Sequence, residues 1–158
     1  MMGGHHAACG AAAWVAVTTQ FHVPLSALRR WWASAPDDLA VGWGLLEVTP
    51  LGVAAGALVC AGAALLPDAD HRHASIAQSL PPVSNRLCAV LGRLAGGHRN
   101  GTHTVFGVAA FTAVAWVAGL WTVPGGPFGT VYPGAGLVAV VLAAFAFKAL
   151  RFIPDSMR

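Results

Sequence analysis

The chain has 158 residues, enough for one domain, and 56% of them are hydrophobic while only 9% are charged. Soluble domains carry roughly 25% charged residues, so this composition argues against a soluble fold. Nine Lys and Arg outnumber six Asp and Glu, but they form no basic stripe with interleaved aromatics, which argues against nucleic acid as a partner. The composition therefore predicts an integral membrane protein.

The first apolar block runs from Ala7 to Phe21 and is rich in alanine, whose small side chain suits helix packing in lipid. The preceding segment, Met1 to His6, lacks the basic residues that begin a secretory signal, so we expect it to be retained with the first helix. Pro24 to Val48 combines Trp, Arg and Asp. Because Trp and Arg favour the headgroup level, this segment is predicted to lie at the membrane interface.

Two uncharged runs of 18 residues follow, Thr49 to Leu66 and Thr104 to Trp121, and a last apolar block runs from Gly134 to about Leu150. Runs of this length are typical of membrane-spanning helices. Between them, Val83 to Leu94 has apolar residues at helical spacing opposite two arginines, which predicts a short amphipathic helix on the membrane or against the bundle. The predicted fold is all-α: one polytopic membrane domain over residues 1–158, with about four transmembrane helices and one interfacial helix.

The Lys and Arg residues predict the orientation, since acidic residues contribute little to topology. If four helices alternate, both termini and the segment 67–103 share one membrane face. That face carries Arg72, Arg86, Arg93, Arg99, Lys148, Arg151 and Arg158, whereas the other carries Arg29 and Arg30. The bias predicts that both termini and the long polar segment are cytoplasmic.

Carboxylates and imidazoles are gathered on that predicted face. Asp68 and Asp70 end the second predicted helix, and His98 and His103 precede the third. Imidazole nitrogen and carboxylate oxygen together suit zinc, with manganese or iron as alternatives. The three cysteines are not placed to contribute thiolates. The sequence therefore predicts a divalent metal site at the membrane boundary.

A phosphate-binding feature accompanies this predicted metal site. Thr102 is a candidate N-cap, and a helix N-terminus attracts phosphate through its free N–H groups and its dipole. Arg99, together with Arg72, could clamp the same anion. A metal beside a phosphate pocket predicts a hydrolase with a phosphate-containing substrate, such as a membrane lipid, and a non-ligating His71 could serve as general base. His73 is expected to be a solvated bystander.

Two other classes of protein fit parts of the pattern. One is a non-catalytic membrane module in which the same residues bind a structural metal or a protein partner. A closed shell of four protein ligands would favour it, because catalytic sites keep a position for water. The other is a small transporter or channel. It is the weaker alternative, since the apolar blocks contain no charge before Lys148.

Three motifs together resemble those of the LexA-regulated, inner-membrane metal-dependent hydrolases of bacteria. They are His6 to Gly10, Leu66-Pro67-Asp68-Ala69-Asp70 and His98-Arg99-Asn100-Gly101-Thr102-His103. The resemblance implies a hydrolase in the bacterial inner membrane, distantly similar to zinc-dependent phospholipases C. The matching metal ligands are His6, Asp68, Asp70, His98 and His103. The family's further His and Asp motif on a later helix has no counterpart in Gly134 to Leu150, so the resemblance also implies a missing C-terminal portion or an incomplete metal shell.

Overall fold

The structure, a computed structural model, describes residues 3–27, 30–32, 34, 36–96 and 101–151. This part of the chain is mostly helical. Its α-helices are α1 (Gly3–Thr18), α2 (Pro50–Ala63), α3 (Val83–Leu94), α4 (Val105–Gly119) and α5 (Pro133–Ala149). A 3₁₀ turn at Leu66–Asp70, here named the acidic turn, continues from α2, and another lies at Gly126–Phe128.

The starts of the apolar helices carry recognisable signals. Thr49 caps α2 by accepting a hydrogen bond of 3.1 Å from the backbone N–H of Gly52, and Pro50 follows at the first helical position. Pro133 likewise occupies the first helical position of α5. Proline suits that position because its fixed φ matches the helix and its missing N–H would have had no partner.

Glycines allow the helices to approach closely. Gly10 of α1 lies against the carbonyl of Cys60, and Gly56 of α2 lies under the indole ring of Trp14. Gly62 meets the backbone of Leu142 in α5. Since these glycines lack a Cβ, backbones can pack at distances that larger residues would prevent, as is common between membrane helices.

The four longer helices alternate in direction, so that one end of the molecule gathers four helix ends. At this end, Gly3 of α1 contacts Ser75, and Gly4 lies near the carbonyl of Ala149, the last residue of α5. The acidic turn contacts both α3 and the start of α4. The core lies nearby and is built from Ala7, Ala61, Leu65, Ala69, Ile76, Ala77, Cys88, Leu142, Phe145, Ala146 and Ala149.

The predominantly helical fold agrees with the prediction from sequence, but the structure adds a small amount of sheet that was not predicted. Phe21–Pro24 (β1) pairs antiparallel with Asp38–Val41 (β2), and Val123–Pro124 (β3) pairs with Thr130–Val131 (β4). The segment 24–48, predicted only as interfacial, therefore contains part of a hairpin. Both hairpins lie at the end of the bundle opposite the acidic turn, and backbone hydrogen bonds from Trp43 and Leu45 hold the first against the last turn of α1.

The bounds of α1 also differ from the predicted block. The helix begins at Gly3 and ends at Thr18, so Phe21 lies in β1 instead of in the helix. The early start reflects tertiary packing of Gly3 and Gly4, which outweighs the low helix propensity of glycine. The early end follows from pairing of the β-branched and aromatic residues after Thr19 with β2.

One segment of the described chain is long and apolar enough to cross a membrane. Pro50–Asp70, which joins α2 to the acidic turn, has 21 residues and a mean hydropathy of 1.8. α4 and α5 are apolar but shorter. The amphipathic helix predicted at Val83 to Leu94 is confirmed with the same bounds as α3.

Candidate metal and phosphate site

The acidic turn places two carboxylates at the end of the segment that is long enough to span a membrane. Pro67 lies at the start of this turn, and the backbone N–H of His71 donates to the carbonyl of Asp68 at 3.1 Å, which closes it. The side chain of Asp68 is one fifth exposed, whereas Asp70 is buried. The two carboxylates of the Asp-x-Asp motif therefore differ in their access to solvent.

Asp68 meets His103 across the gap between the acidic turn and the start of α4. Its Oδ1 lies 3.5 Å from Nε2 of His103, and both side chains are partly exposed. This separation exceeds the distance of about 2.7 to 3.2 Å of an ordinary hydrogen bond. It is close to the roughly 3.4 Å between two ligand atoms that each bind a tetrahedral zinc ion at about 2.1 Å. Carboxylate oxygen and imidazole nitrogen are both zinc ligands, so the pair fits the predicted metal.

Thr102 contacts the other ring nitrogen of His103 instead of capping the helix. Its side chain is buried, and its Oγ1 lies 3.3 Å from Nδ1 of His103. A partner at Nδ1 orients an imidazole and leaves Nε2 directed at a ligand, as is usual for histidines that bind metal. Sequence reasoning missed this role, although the adjacency of Thr102 and His103 in the sequence was a signal for it.

Thr104 is the N-cap of α4, which corrects the assignment of Thr102. The Thr104 hydroxyl accepts from the backbone N–H of Gly107 at 3.2 Å and donates to the carbonyl of Gly101 at 2.7 Å. Thr104 fits the cap because its backbone is extended, as capping requires, and its hydroxyl faces the first turn. The cap therefore occupies one of the N–H groups that were expected to face phosphate.

The buried Asp70 packs against α3. A Cβ at Gly92 would lie 2.7 Å from the carbonyl oxygen of Asp70, so the helix touches the backbone of the acidic turn. Cys88, one helical turn earlier, is buried beside it. Burial, and secondarily the negative charge of Asp70, raises the pKa of the Cys88 thiol. Cys88 is therefore a protonated structural residue near neutral pH.

His71 directly follows the acidic turn, and its ring is oriented by the backbone. The N–H of His73 lies 3.2 Å from Nδ1 of His71 and donates to it, and the two rings meet edge to face at 5.8 Å. A backbone N–H can only donate, so Nδ1 is an acceptor and the neutral ring carries its hydrogen on Nε2. In this arrangement His71 donates through Nε2. The predicted role as general base would require the His73 hydrogen bond to break.

The remaining candidates are distributed as follows. His6 is exposed in the first turns of α1, at the same end of the molecule as the acidic turn. His22 lies at the opposite end, where its Nδ1 is 2.9 Å from Asp38. Arg72 and His73 are exposed. His98 and Arg99, predicted as metal ligand and anion clamp, lie outside the described residues. Within the described part of the chain, no three His, Cys, Asp or Glu side chains form a group suited to a metal.

Over the described residues, the fold is mostly helical, with one segment long and apolar enough to span a membrane and a carboxylate–imidazole pair where that segment ends. Residues 1–150 match the model of the YdjM inner membrane protein family. The chain therefore belongs to this family and is a membrane protein of the inner membrane. This agrees with the inner-membrane family that the three motifs resemble, while the match carries no information on hydrolysis or metal. Comparisons with curated proteins and with solved structures gave no match.

Proposed function

We propose that the chain is a membrane-embedded, metal-dependent hydrolase that acts on a phosphate-containing substrate at the cytoplasmic face. The observation that carries the proposal is the Asp68–His103 pair, with its two ligand atoms 3.5 Å apart and partly exposed where the spanning segment ends. A carboxylate and an imidazole at this spacing suit zinc better than they suit a direct hydrogen bond. Manganese and iron are the other candidate metals.

The proposed architecture is a single membrane domain in which α1, α2, α4 and α5 all cross the bilayer. Their alternating directions support this, because they bring the start of α1, the acidic turn, the start of α4 and the end of α5 to one end. The excess of Lys and Arg predicted for that end supports a cytoplasmic location for it and for both termini. The site would then lie at the level of the cytoplasmic headgroups.

The ligand shell would extend from the Asp68–His103 pair to neighbouring residues. Asp70 follows Asp68 in the same turn, and His98 precedes His103 by five positions. His6 lies on the first turns of α1 at the same end. Thr102, through Nδ1, would keep Nε2 of His103 directed at the ion.

The remaining residues would handle the substrate. A bound divalent ion supplies Lewis acidity that polarises a phosphoryl oxygen and lowers the pKa of water. Arg99 would hold the phosphate anion. His71 would donate a hydrogen bond from Nε2 to the leaving oxygen, since its Nδ1 accepts from His73. Position at a membrane face makes lipids of the bilayer the nearest source of phosphate esters.

Metal analysis of the purified full chain in detergent tests the proposal. We expect Asp68→Asn and His103→Gln each to weaken zinc binding by tenfold or more, on the order of the loss known for perturbed zinc shells. The pair His22 and Asp38 provides a matched control, because it joins the same two side-chain types at the other end of α1. Asp38→Asn, His22→Gln and His73→Ala should leave zinc binding unchanged. Equal losses in both sets would refute the site.

Hydrolysis of a chromogenic phosphodiester separates an enzyme from a non-catalytic metal module. We expect zinc-dependent turnover that is lost in Asp68→Asn and reduced in His71→Phe, while the latter still binds metal. Zinc bound tightly without turnover of soluble or lipid phosphodiesters would contradict the hydrolase and favour a structural metal or a protein partner at this end of the molecule.

A further inference from the structure

α3 packs Leu91 against the core but leaves most of its other aliphatic residues uncovered. Ser84 and Cys88 are buried, and Ser84 binds the loop before α3 by donating to the carbonyl of Ala77 at 2.7 Å. Gly92 completes this packed side against Asp70. The neighbouring side carries four exposed aliphatic residues, here named the α3 stripe: Val83, Leu87, Val90 and Leu94, with exposures of 70%, 52%, 49% and 79%.

Two arginines border the α3 stripe. Arg86 and Arg93 are both exposed and are seven residues apart, so they lie on the same side of the helix, next to Val83 and Val90. An apolar stripe flanked by basic residues is the pattern of a helix that lies in the plane of a membrane, with the aliphatic side chains in the acyl boundary and the cations among the headgroups. Arginine can keep its charged head at the headgroups while its aliphatic stem packs on the stripe.

The position of α3 in the fold agrees with that pattern. The helix contacts the acidic turn, which ends the segment long enough to cross a bilayer. Because α3 packs against the end of this segment, it is held at the depth of the membrane boundary. With 12 residues, α3 is too short to cross by itself.

We propose that the α3 stripe, with Arg86 and Arg93, docks on anionic phospholipids of the membrane that holds the spanning segment. The proposal rests on the membrane placement given above but not on metal binding or hydrolysis. Anionic headgroups complement the two cations, and the acyl boundary covers the stripe. A second copy of the chain is a poorer occupant, because a two-fold contact between stripes would bring the arginines of both copies together.

A fluorescent reporter on the stripe tests this docking. Leu87→Cys in a Cys9→Ser background would be labelled with the environment-sensitive dye NBD in the full-length protein, and the same background without Leu87→Cys corrects for any labelling of Cys60 and Cys88. The protein is then placed in nanodiscs of phosphatidylcholine with increasing phosphatidylglycerol. We expect brighter, blue-shifted emission as the anionic fraction rises.

Arginine variants identify the cause of that change. Arg86→Gln or Arg93→Gln should raise the phosphatidylglycerol fraction needed for half of the change by about fivefold, since one cation near an anionic surface is worth about 1 kcal/mol. Arg30→Gln, which removes an exposed cation between β1 and β2, should have no effect. Equal emission in both lipids, an equal effect of Arg30→Gln, or a change seen only in nanodiscs with two protein copies would overturn the proposal.

Zinc binding by the arginine variants makes this test independent of the proposed function. Arg86 and Arg93 are not candidate ligands, so Arg86→Gln and Arg93→Gln should bind zinc as the parent does. Failure of the lipid response with normal zinc binding contradicts only the docking of α3, whereas a normal lipid response without zinc binding contradicts only the metal site.

Discussion

Gly62 permits the contact between α2 and α5. A Cβ at this position would overlap the carbonyl group of Leu142, and both residues are buried. The obstacle is backbone, which cannot rotate away as the end of a long side chain can. The two helices would have to move apart, and overpacking of this kind costs about 1 to 3 kcal/mol.

Substitution at Gly62 should therefore destabilise the bundle. We expect Gly62→Ala to lower the free energy of unfolding by about 1 to 3 kcal/mol, measured by denaturation in mixed micelles. Gly136→Ala in α5 is the matched control, because a Cβ there meets no atom within 4 Å. Alanine has the higher helix propensity, so Gly136→Ala should be neutral or stabilising. The same loss at both positions would show that backbone overlap at Gly62 does not set the effect.

At the residue scale, the threonines before α4 show what the sequence leaves open. Thr102 and Thr104 are two positions apart, and either can cap a helix. The choice depends on the chain path from Gly101, whose carbonyl accepts from the Thr104 hydroxyl. Such a path is set by tertiary packing, here by the position of Gly101 against Ala95. The sequence predicts that a threonine makes polar contacts at the start of α4, but it does not predict which threonine contacts His103.

α3 shows a different limit at the scale of the element. Its bounds follow directly from the apolar periodicity and are confirmed, yet the buried side is not the most apolar one. In a soluble protein the apolar stripe faces the core. In a membrane protein the lipid is itself apolar, so small and polar residues such as Ser84 and Gly92 pack against the protein. The apolar periodicity therefore predicts the helix, but it does not predict which side of the helix packs against the protein.

Cys88 makes the packing of α3 measurable through pH. Its folded-state pKa is raised by burial and by Asp70. Below the pKa of an unfolded thiol, about 8.5, the proton is bound in both states and Cys88 stabilises fully. As pH rises towards the higher folded-state pKa, only the unfolded thiol ionises and this stability is lost.

Cys88→Ala should remove that dependence on pH. The variant loses packing at every pH, but we expect the difference in melting temperature between the parent and Cys88→Ala to narrow as the pH is raised from 8 to 10. Tryptophan emission in detergent is a suitable measurement. Ser84→Ala, on the same buried side of α3, serves as control, because a hydroxyl does not ionise in this pH range. A constant difference across this range would mean that Cys88 does not titrate differently in the folded state.

For the whole molecule, composition and uncharged runs were sufficient to predict a helical membrane protein, because the bilayer imposes length and polarity on each segment. The two hairpins were not predictable from those rules, since Phe21 and Val23 are apolar residues that suit a helix or a strand equally. The site was predictable to the level of the helix ends. The Asp68 side chain meets His103, while the backbone of Asp70 packs against α3, a difference that depends on the path of one 3₁₀ turn.

The alternation of the four helices makes the orientation of the whole molecule testable with two positions. His73 is exposed beside the acidic turn, and Thr130 is exposed in β4 at the opposite end. In a Cys9→Ser background, we expect Thr130→Cys to react with a membrane-impermeant maleimide on intact spheroplasts, and His73→Cys to react only after permeabilisation. The reason is that, among the described residues, five Lys and Arg lie at the His73 end and only Arg30 lies at the other, so the His73 end should stay cytoplasmic. Labelling of His73→Cys from outside, with Thr130→Cys protected, would reverse the orientation and place the Asp68–His103 site on the periplasmic side. Labelling of both from outside would mean that the chain between them crosses an even number of times, which contradicts α4 as a spanning helix.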